Sequence, residues 1–480
     1  MFNFSASHKK ASNKRSLLVL AGALGLALVF GAPLLGQAAP IQQRALEYFL
    51  DLLKIDTSNP PGHETRVAQY LKGVCDREGI PNELLGGDPQ RLNFVARLTA
   101  ASSASPAPRP LLLMAHSDVV PVQRSQWTVE PFAAVVKDGY IWGRGSQDTK
   151  PLLAAELAVM VELKRSGARL RRDVIFLSEA DEEAGSSGVQ WLIANAWDKI
   201  SAEFAINEGG FAQRLADGKV LYNVQTAEKI PTRIKLTAHG SSGHGSLPRP
   251  DNAVFHLAEA LVRLAHAEQP IRLNATTREY FRSLAKLSEY AKLAPAFGQL
   301  EDPARAPAAR LAILRESPML AAALSTTVSP TMTTAGVKVN VIPSVAEAAV
   351  DVRRLPDETK EEVLERFRKI INDPQVEIEP LKGDQDNPST EPSSRTSELY
   401  RAIEAVIRAA DKNGVVLPNM SLGATDGAFL RARGMGVYGI PLFPTPTEER
   451  RAHGNDERLS SASFASGVLL LRDVVKKIAE

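Results

Sequence analysis

Apolar and polar positions follow two different rhythms along this chain, and the change between them falls near residue 228. Before it, apolar residues come in short unbroken runs: Leu111-Leu112-Leu113-Met114-Ala115, Val174-Ile175-Phe176-Leu177-Ser178 and Phe204-Ala205-Ile206. Runs of this length without alternation predict strands buried on both faces of a parallel sheet. Around them, apolar residues recur at helical spacing over Gln42 to Leu53, Glu64 to Arg77 and Pro151 to Leu163. The first two helices are separated by the breaker cluster Asp56-Thr57-Ser58-Asn59-Pro60-Pro61-Gly62, and Pro151 sits early in its helix, where a missing N–H does no harm. A loop is predicted at Ser102 to Pro110. The class is α/β, with helices around a central, mostly parallel sheet.

After residue 228 the rhythm becomes two-fold. Arg233-Ile234-Lys235-Leu236-Thr237-Ala238 alternates as a half-exposed strand does, Asn252 to Ala265 is an amphipathic helix, and Ala346 to Val352 is a strand. Lys360 to Ile371 reads as a charged helix and Val376-Glu377-Ile378-Glu379 as another short strand. Together they predict a small α+β sandwich over 229–383, inserted between residues 41–228 and 384–480 of the larger domain. Thr277 to Leu324 adds helix and loop to which the pattern assigns no function. From about Asn387 the α/β character returns: a helix from Thr396 to Asp411, the loop Ser421-Leu422-Gly423-Ala424-Thr425-Asp426-Gly427, a strand from Gly436 to Ile440 and a helix from Ser461 to Ile478.

Composition narrows the class of partner. With 480 residues, 44% of them hydrophobic, the chain can bury a large core. Residues 1–38 read as an export signal: four basic residues and no acidic ones, an apolar stretch from Leu17 to about Leu35, and small residues at Gly36-Gln37-Ala38-Ala39 that place cleavage after Ala38. The stretch is also just long enough to span a bilayer, so an uncleaved anchor is the alternative. Without those residues the formal charge moves from +2 to −2, which argues against nucleic acid or an anionic membrane as the main partner. The expected location is periplasmic or secreted. The single Cys75 excludes an intramolecular disulfide and a cysteine-rich metal site.

Candidate chemistry lies in five segments: His116-Ser117-Asp118, Gly143-Arg144-Gly145-Ser146-Gln147-Asp148, Asp181-Glu182-Glu183-Ala184-Gly185, Asn207-Glu208-Gly209-Gly210 and Ala452-His453-Gly454-Asn455-Asp456-Glu457. Imidazoles and carboxylates without thiolate suit a pair of hydrolytic zinc ions, each needing about three protein ligands and an open position. Three of the segments follow directly on predicted strands, and ligands of open α/β sheets bind beyond the carboxyl ends of strands.

These motifs, in this order, resemble the di-zinc hydrolase family that includes aminoacylase, carboxypeptidase G, the yeast Gly-X carboxypeptidase and succinyl-diaminopimelate desuccinylase, over about residues 41 to 480. The resemblance implies a zinc-peptidase-type catalytic domain and makes the insert its lid and dimerisation domain. It implies that Asp148 bridges two Zn2+ ions, with Co2+ or Mn2+ as possible substitutes. His116 and Glu208 would complete one site, and Glu183 and His453 the other. Glu182 would be the general base and then the proton donor to the leaving amine, and Asp118 would orient His116. His244, in the insert, would reach the partner subunit's active site in a homodimer and donate to the developing oxyanion. Asn340 and Arg353 match lid positions that hold substrate, and Thr425 would line the pocket. The chain departs from the family in Thr149, where a methionine is usual, and in Pro380-Leu381-Lys382, where carboxypeptidase G has a further arginine.

The implied activity is hydrolysis of an amide next to a free carboxylate, as a carboxypeptidase performs it. An N-acyl-amino-acid amidohydrolase is the enzymatic alternative, and a non-catalytic binding module the remote one.

Overall fold

Strands Leu111–His116, Val174–Glu179 and Phe204–Asn207 lie side by side and parallel in the middle of the main sheet. The computed structural model describes residues 39–101, 107–382 and 387–480. The expected signal segment, most of the loop expected from Ser102 and the expected boundary at 383/384 lie outside the described residues. Along the first strand, Leu111, Leu113 and Ala115 join a core under helices Ile41–Leu53, Lys150–Ser166 and Ser461–Ala479. Leu112 and Met114 point the other way, into a second core with Val189, Leu192 and Leu430. Burial on both faces is why the run shows no alternation. Each such leucine contributes about 1.5–3 kcal/mol relative to exposure.

Among the described residues the main sheet has nine strands. Its order runs Asn82–Leu85, Asn93–Leu98, Val174–Glu179, Leu111–His116, Phe204–Asn207, Gly436–Gly439, Val220–Glu228 and Val415–Ser421, with Phe211–Arg214 paired beside Val220–Glu228. The sheet is parallel through its centre and has antiparallel pairings toward both edges. Register puts the carboxyl ends together: His116 is opposite Glu179, and Gly439 opposite Asn207. The segments after these strands therefore emerge along one edge of the sheet.

A second, four-stranded antiparallel sheet has the order Thr327–Ala335, Val345–Arg354, Ile230–His239, Val376–Pro380. One of its faces is packed by helices Ala253–His266 and Lys360–Ile371, through Leu257, Leu264, Phe367 and Ile371. Each helix starts on a side-chain cap, Asn252 accepting from the Val254 N–H and Thr359 forming a reciprocal box with Glu362. The chain passes from one sheet to the other at Lys229, between strands Val220–Glu228 and Ile230–His239. Lys229 is buried there and donates to the Ala322 and Ser325 carbonyls at 3.0 and 2.9 Å. The stretch from Thr277 to Leu324 forms short helices whose core of Tyr280, Phe281, Phe297 and Ile313 packs on Leu417 and Met420 of the outer strand Val415–Ser421.

Candidate metal centre

His116 closes its strand fully buried, with Nε2 3.0 Å from Asp148 Oδ1 and 3.6 Å from Glu208 Oε2. The other oxygen, Asp148 Oδ2, lies 3.2 Å from His453 Nε2, which is also 3.2 Å from Glu183 Oε2. Asp148 thus offers one oxygen to each side of the cluster. His116, Asp148 and Glu183 bring ligand atoms within 4.8 Å of one another, and so do His116, Glu182 and Glu208. All five expected metal ligands and the expected base converge at one place.

Local structure explains how. Asp148 ends a loop held by Glu457, whose Oε1 accepts from the Gln147 and Asp148 N–H groups at 2.6 and 3.2 Å while Oε2 accepts from Gly145 N–H and Arg144. Since Glu457 lies four residues after His453, one buried carboxylate ties together the two loops that supply the outer ligands. Lys150, next to the loop, donates to the Leu52 and Ile55 carbonyls at 3.0 and 2.7 Å. Glu208 is followed by Gly209 at φ +91°, where a Cβ would lie 1.5 Å from Gln225 Oε1, so only glycine fits.

Asp118 does more than orient an imidazole. His116 Nδ1 is 3.0 Å from the Asp118 carbonyl and 3.5 Å from its carboxylate. The carboxylate accepts from the Glu182 and Glu183 backbone N–H groups at 3.2 and 3.1 Å and from Asn59 Nδ2 at 2.7 Å. It fixes the turn that presents both glutamates.

The electrostatics are those of crowded carboxylates. Burial pushes Glu208 up to about 7 against the pull of His116, and burial, then the Glu208 charge, raises Glu182 far above the usual carboxylate range. Burial works against His116, yet the surrounding carboxylates lift it well above an ordinary imidazole. Asp148 and Glu183 together hold His453 at about 10. Glu183 Oε1 is buried without a hydrogen-bond partner. Four carboxylates facing two imidazoles, with one oxygen unpartnered, form an oxygen-rich donor set that fits divalent cations.

The remaining expected residues divide. Arg353 and Thr425 line the cavity of about 360 Å3 that also holds Asp148, Glu182, Glu183, Glu208 and His453. The Thr425 hydroxyl and N–H, however, both donate to Glu228, at 2.9 and 3.3 Å, so neither donor is left for the cavity. His244 and Asn340 are not among the cavity's lining residues. They sit together in an exposed two-stranded turn, Gly243–His244 against Val341–Ile342, where the Gly245 N–H donates to the Asn340 carbonyl at 2.8 Å. Sequence reasoning missed Asn59 and Glu457 as supports and Arg233 as a second arginine of the cavity. Glu457 stands inside a quoted motif, but its partners are more than 300 positions away.

A model of Peptidase family M20/M25/M40 matches residues 112–477. The chain belongs to this family. Human N-fatty-acyl-amino acid synthase/hydrolase PM20D1 is 29% identical to it over 391 residues, 79% of this chain and 76% of that protein. A probable carboxypeptidase S-like 2 of Dictyostelium discoideum is 27% identical, over 74% of this chain and 69% of that protein. Among solved structures, an M20 family metallo-carboxypeptidase from Sulfolobus solfataricus shares the fold, with a TM-score of 0.69 and 21% identity over 90% of this chain and 99% of that one. As an M20-family metallohydrolase, the chain uses the expected α/β fold, and the Asp148-centred cluster includes His116 and Glu208 at the carboxyl ends of its parallel strands.

Proposed function

We propose that this M20-family hydrolase holds two divalent ions, zinc first, and cleaves an amide bond next to a free carboxylate. The observation that supports this reading best is the shared cavity: Arg353 and Arg233 line the same space as the Asp148 cluster and Glu182. Guanidinium groups beside the reaction centre suit a substrate carboxylate. His116, Asp148 and Glu208 would hold one ion, and Glu183, His453 and the other oxygen of Asp148 the second. When bound, such ions polarise the scissile carbonyl and activate water. Glu182 takes a proton from the attacking water as its oxygen bonds to the carbonyl carbon. The C–N bond then breaks, and Glu182 returns the proton to the leaving amine.

A peptide or an N-acyl-amino acid would satisfy this chemistry. The amidohydrolase alternative gains support from a second cavity, of about 320 Å3, that shares Asp148 and Glu208 and has Leu152, Phe211, Ile440, Leu442 and Phe443 in its walls. Turnover of a panel of blocked dipeptides and N-acyl-amino acids by the metal-replete protein separates the two readings, and a protein that binds metal but cleaves neither would refute both.

The small sheet, in this reading, is a lid that also pairs two chains. Its outer strand Thr327–Ala335 is exposed along most of its length, and helix Ala253–His266 shows Phe255 and Val262 to solvent. A two-fold pairing there would carry the turn with His244 and Asn340 toward a partner's cavity. Export through residues 1–38 belongs to the same proposal, and the mature N-terminus of the secreted or periplasmic protein tests it.

A further inference from the structure

The second cavity has one feature foreign to an apolar pocket. Arg450 lines it, with its guanidinium carbon 4.3 Å above the centre of the Phe211 ring. Its Nη2 is buried and has no hydrogen-bond partner, and among the described residues it makes no ion pair. The groups that act on it electrostatically are the phenols Tyr280 and Tyr290, from the helical stretch packed on the outer strand, and burial depresses its pKa. Four other arginines of low exposure each meet a carboxylate. Arg91 meets Glu64, Arg144 meets Glu457, Arg172 meets Glu203 and Glu398, and Arg431 meets Glu228, each within 3 Å.

Arg450 is half-buried, and a guanidinium nitrogen buried without an acceptor is unfavourable unless something else partners it. The cavity that would supply this something touches the metal-binding carboxylates Asp148 and Glu208 and lies apart from Arg233 and Arg353. It is about twice the ~150 Å3 that accommodates benzene, enough for an acyl group of roughly a dozen heavy atoms. Leu152, Phe211, Ile440, Leu442 and Phe443 stand in its walls, and its guanidinium offers a planar fork to a carboxylate.

We propose that Arg450 is a specificity-determining residue that selects substrates whose acyl side carries a carboxylate across a short apolar spacer. This rests on the amide-hydrolase reading above, with the free carboxylate of the leaving amino acid gripped in the other cavity by Arg233 and Arg353. Two sources share the chemistry: the half-amide of a dicarboxylic acid, and a peptide with an acidic residue before the scissile bond.

The test uses matched substrates with the full-length, zinc-loaded protein: N-glutaryl-leucine against N-pentanoyl-leucine, and acetyl-Glu-Leu against acetyl-Gln-Leu. Wild type should prefer the charged member of at least one pair by tenfold or more in kcat/KM, and the pair that shows it names the source. Arg450→Met should abolish the preference mainly by raising KM for the charged substrate, as loss of uniform binding does, while the neutral partner changes less than threefold. Arg450→Lys should restore part of it. Competitive inhibition by glutarate, stronger than by pentanoate, reads the same site in wild type and decides the matter if the variants fold poorly. Equal loss on charged and neutral substrates in Arg450→Met would overturn the proposal and assign Arg450 to the leaving group's carboxylate. Hydrolysis of both members of each pair without preference overturns this inference alone. No hydrolysis of any member overturns the amide-hydrolase reading itself.

Discussion

Asp148 divides its two oxygens between His116 and His453, and that division makes it the residue on which both halves of the centre depend. Asp148→Ala should lose zinc from both sites together, because Glu182, Glu183 and Glu208 are then left to repel one another. Equilibrium dialysis checks this, and two retained equivalents with unchanged affinity would rule out the bridge. Glu182→Gln should retain both metals and lose about 10²–10⁴-fold in kcat, the usual contribution of a general acid–base group. Near-normal turnover at full metal content would remove Glu182 from the role of base. At this scale the sequence was legible where the chemistry is carried by residue type: His116, Asp148, Glu182, Glu183, Glu208 and His453 sit in short motifs, three of them directly after strands, and meet in space. It was silent where function depends on who stands opposite. The Thr425 hydroxyl is committed to Glu228, and Arg450 is conspicuous because its Nη2 is buried without a partner among the described residues. Neither fact leaves a mark on local spacing.

Among elements, the parallel strands were readable because both faces are buried, and three of the four strands of the small sheet because they alternate; the fourth, Thr327–Ala335, is exposed along most of its length and shows no such pattern. Val220–Glu228 escaped notice for the opposite reason: it is buried at every position yet contains Asn223, Gln225, Thr226 and Glu228. Its polar groups are partly satisfied inside the fold, Gln225 donating to Glu228 at 2.6 Å and Thr226 bonding Thr276. Val415–Ser421 was missed because Pro418 and Asn419 lie within it. Helix Lys360–Ile371 depends on Phe367, which is fully buried under the small sheet. Phe367→Ala should destabilise that unit by about 3–5 kcal/mol, measurable by denaturant unfolding. The other helix is pinned by His256, with Nδ1 2.7 Å from Asp373 and Nε2 3.3 Å from Asp251. Hydrogen bonding to Asp373 raises the His256 pKa, so the stabilisation is fully present below about pH 6.5 and is lost as pH rises through the raised folded value. Asp251 and Asp373 are held below the ordinary carboxylate range, so their share is lost on acidification through those lowered values. His256→Ala should therefore flatten the alkaline side of the stability profile followed by thermal melts, and an unchanged slope would show that the pair contributes nothing.

For the molecule as a whole, the proposed reaction assigns bond cleavage to the cluster, whereas His244 and Asn340 stand in an exposed turn outside the cavity that contains it. Pairing of two chains is the arrangement that would give them a part. Mixing His244→Ala with Glu182→Gln, each inactive alone, should restore activity on subunit exchange, since one site of the mixed dimer then has its own Glu182 and the partner's His244. No recovery despite demonstrated exchange would confine His244 to its own chain or to no role. The most direct test of the central claim is a metal titration. The purified protein is stripped with a chelator, Zn2+ is returned stepwise, and bound metal and hydrolysis of blocked dipeptides and N-acyl-amino acids are followed together. The account predicts activity that reaches its plateau at two bound equivalents per chain, with Glu182→Gln silent at the same occupancy. Two equivalents bound with no cleavage of any amide that bears a free carboxylate would contradict it.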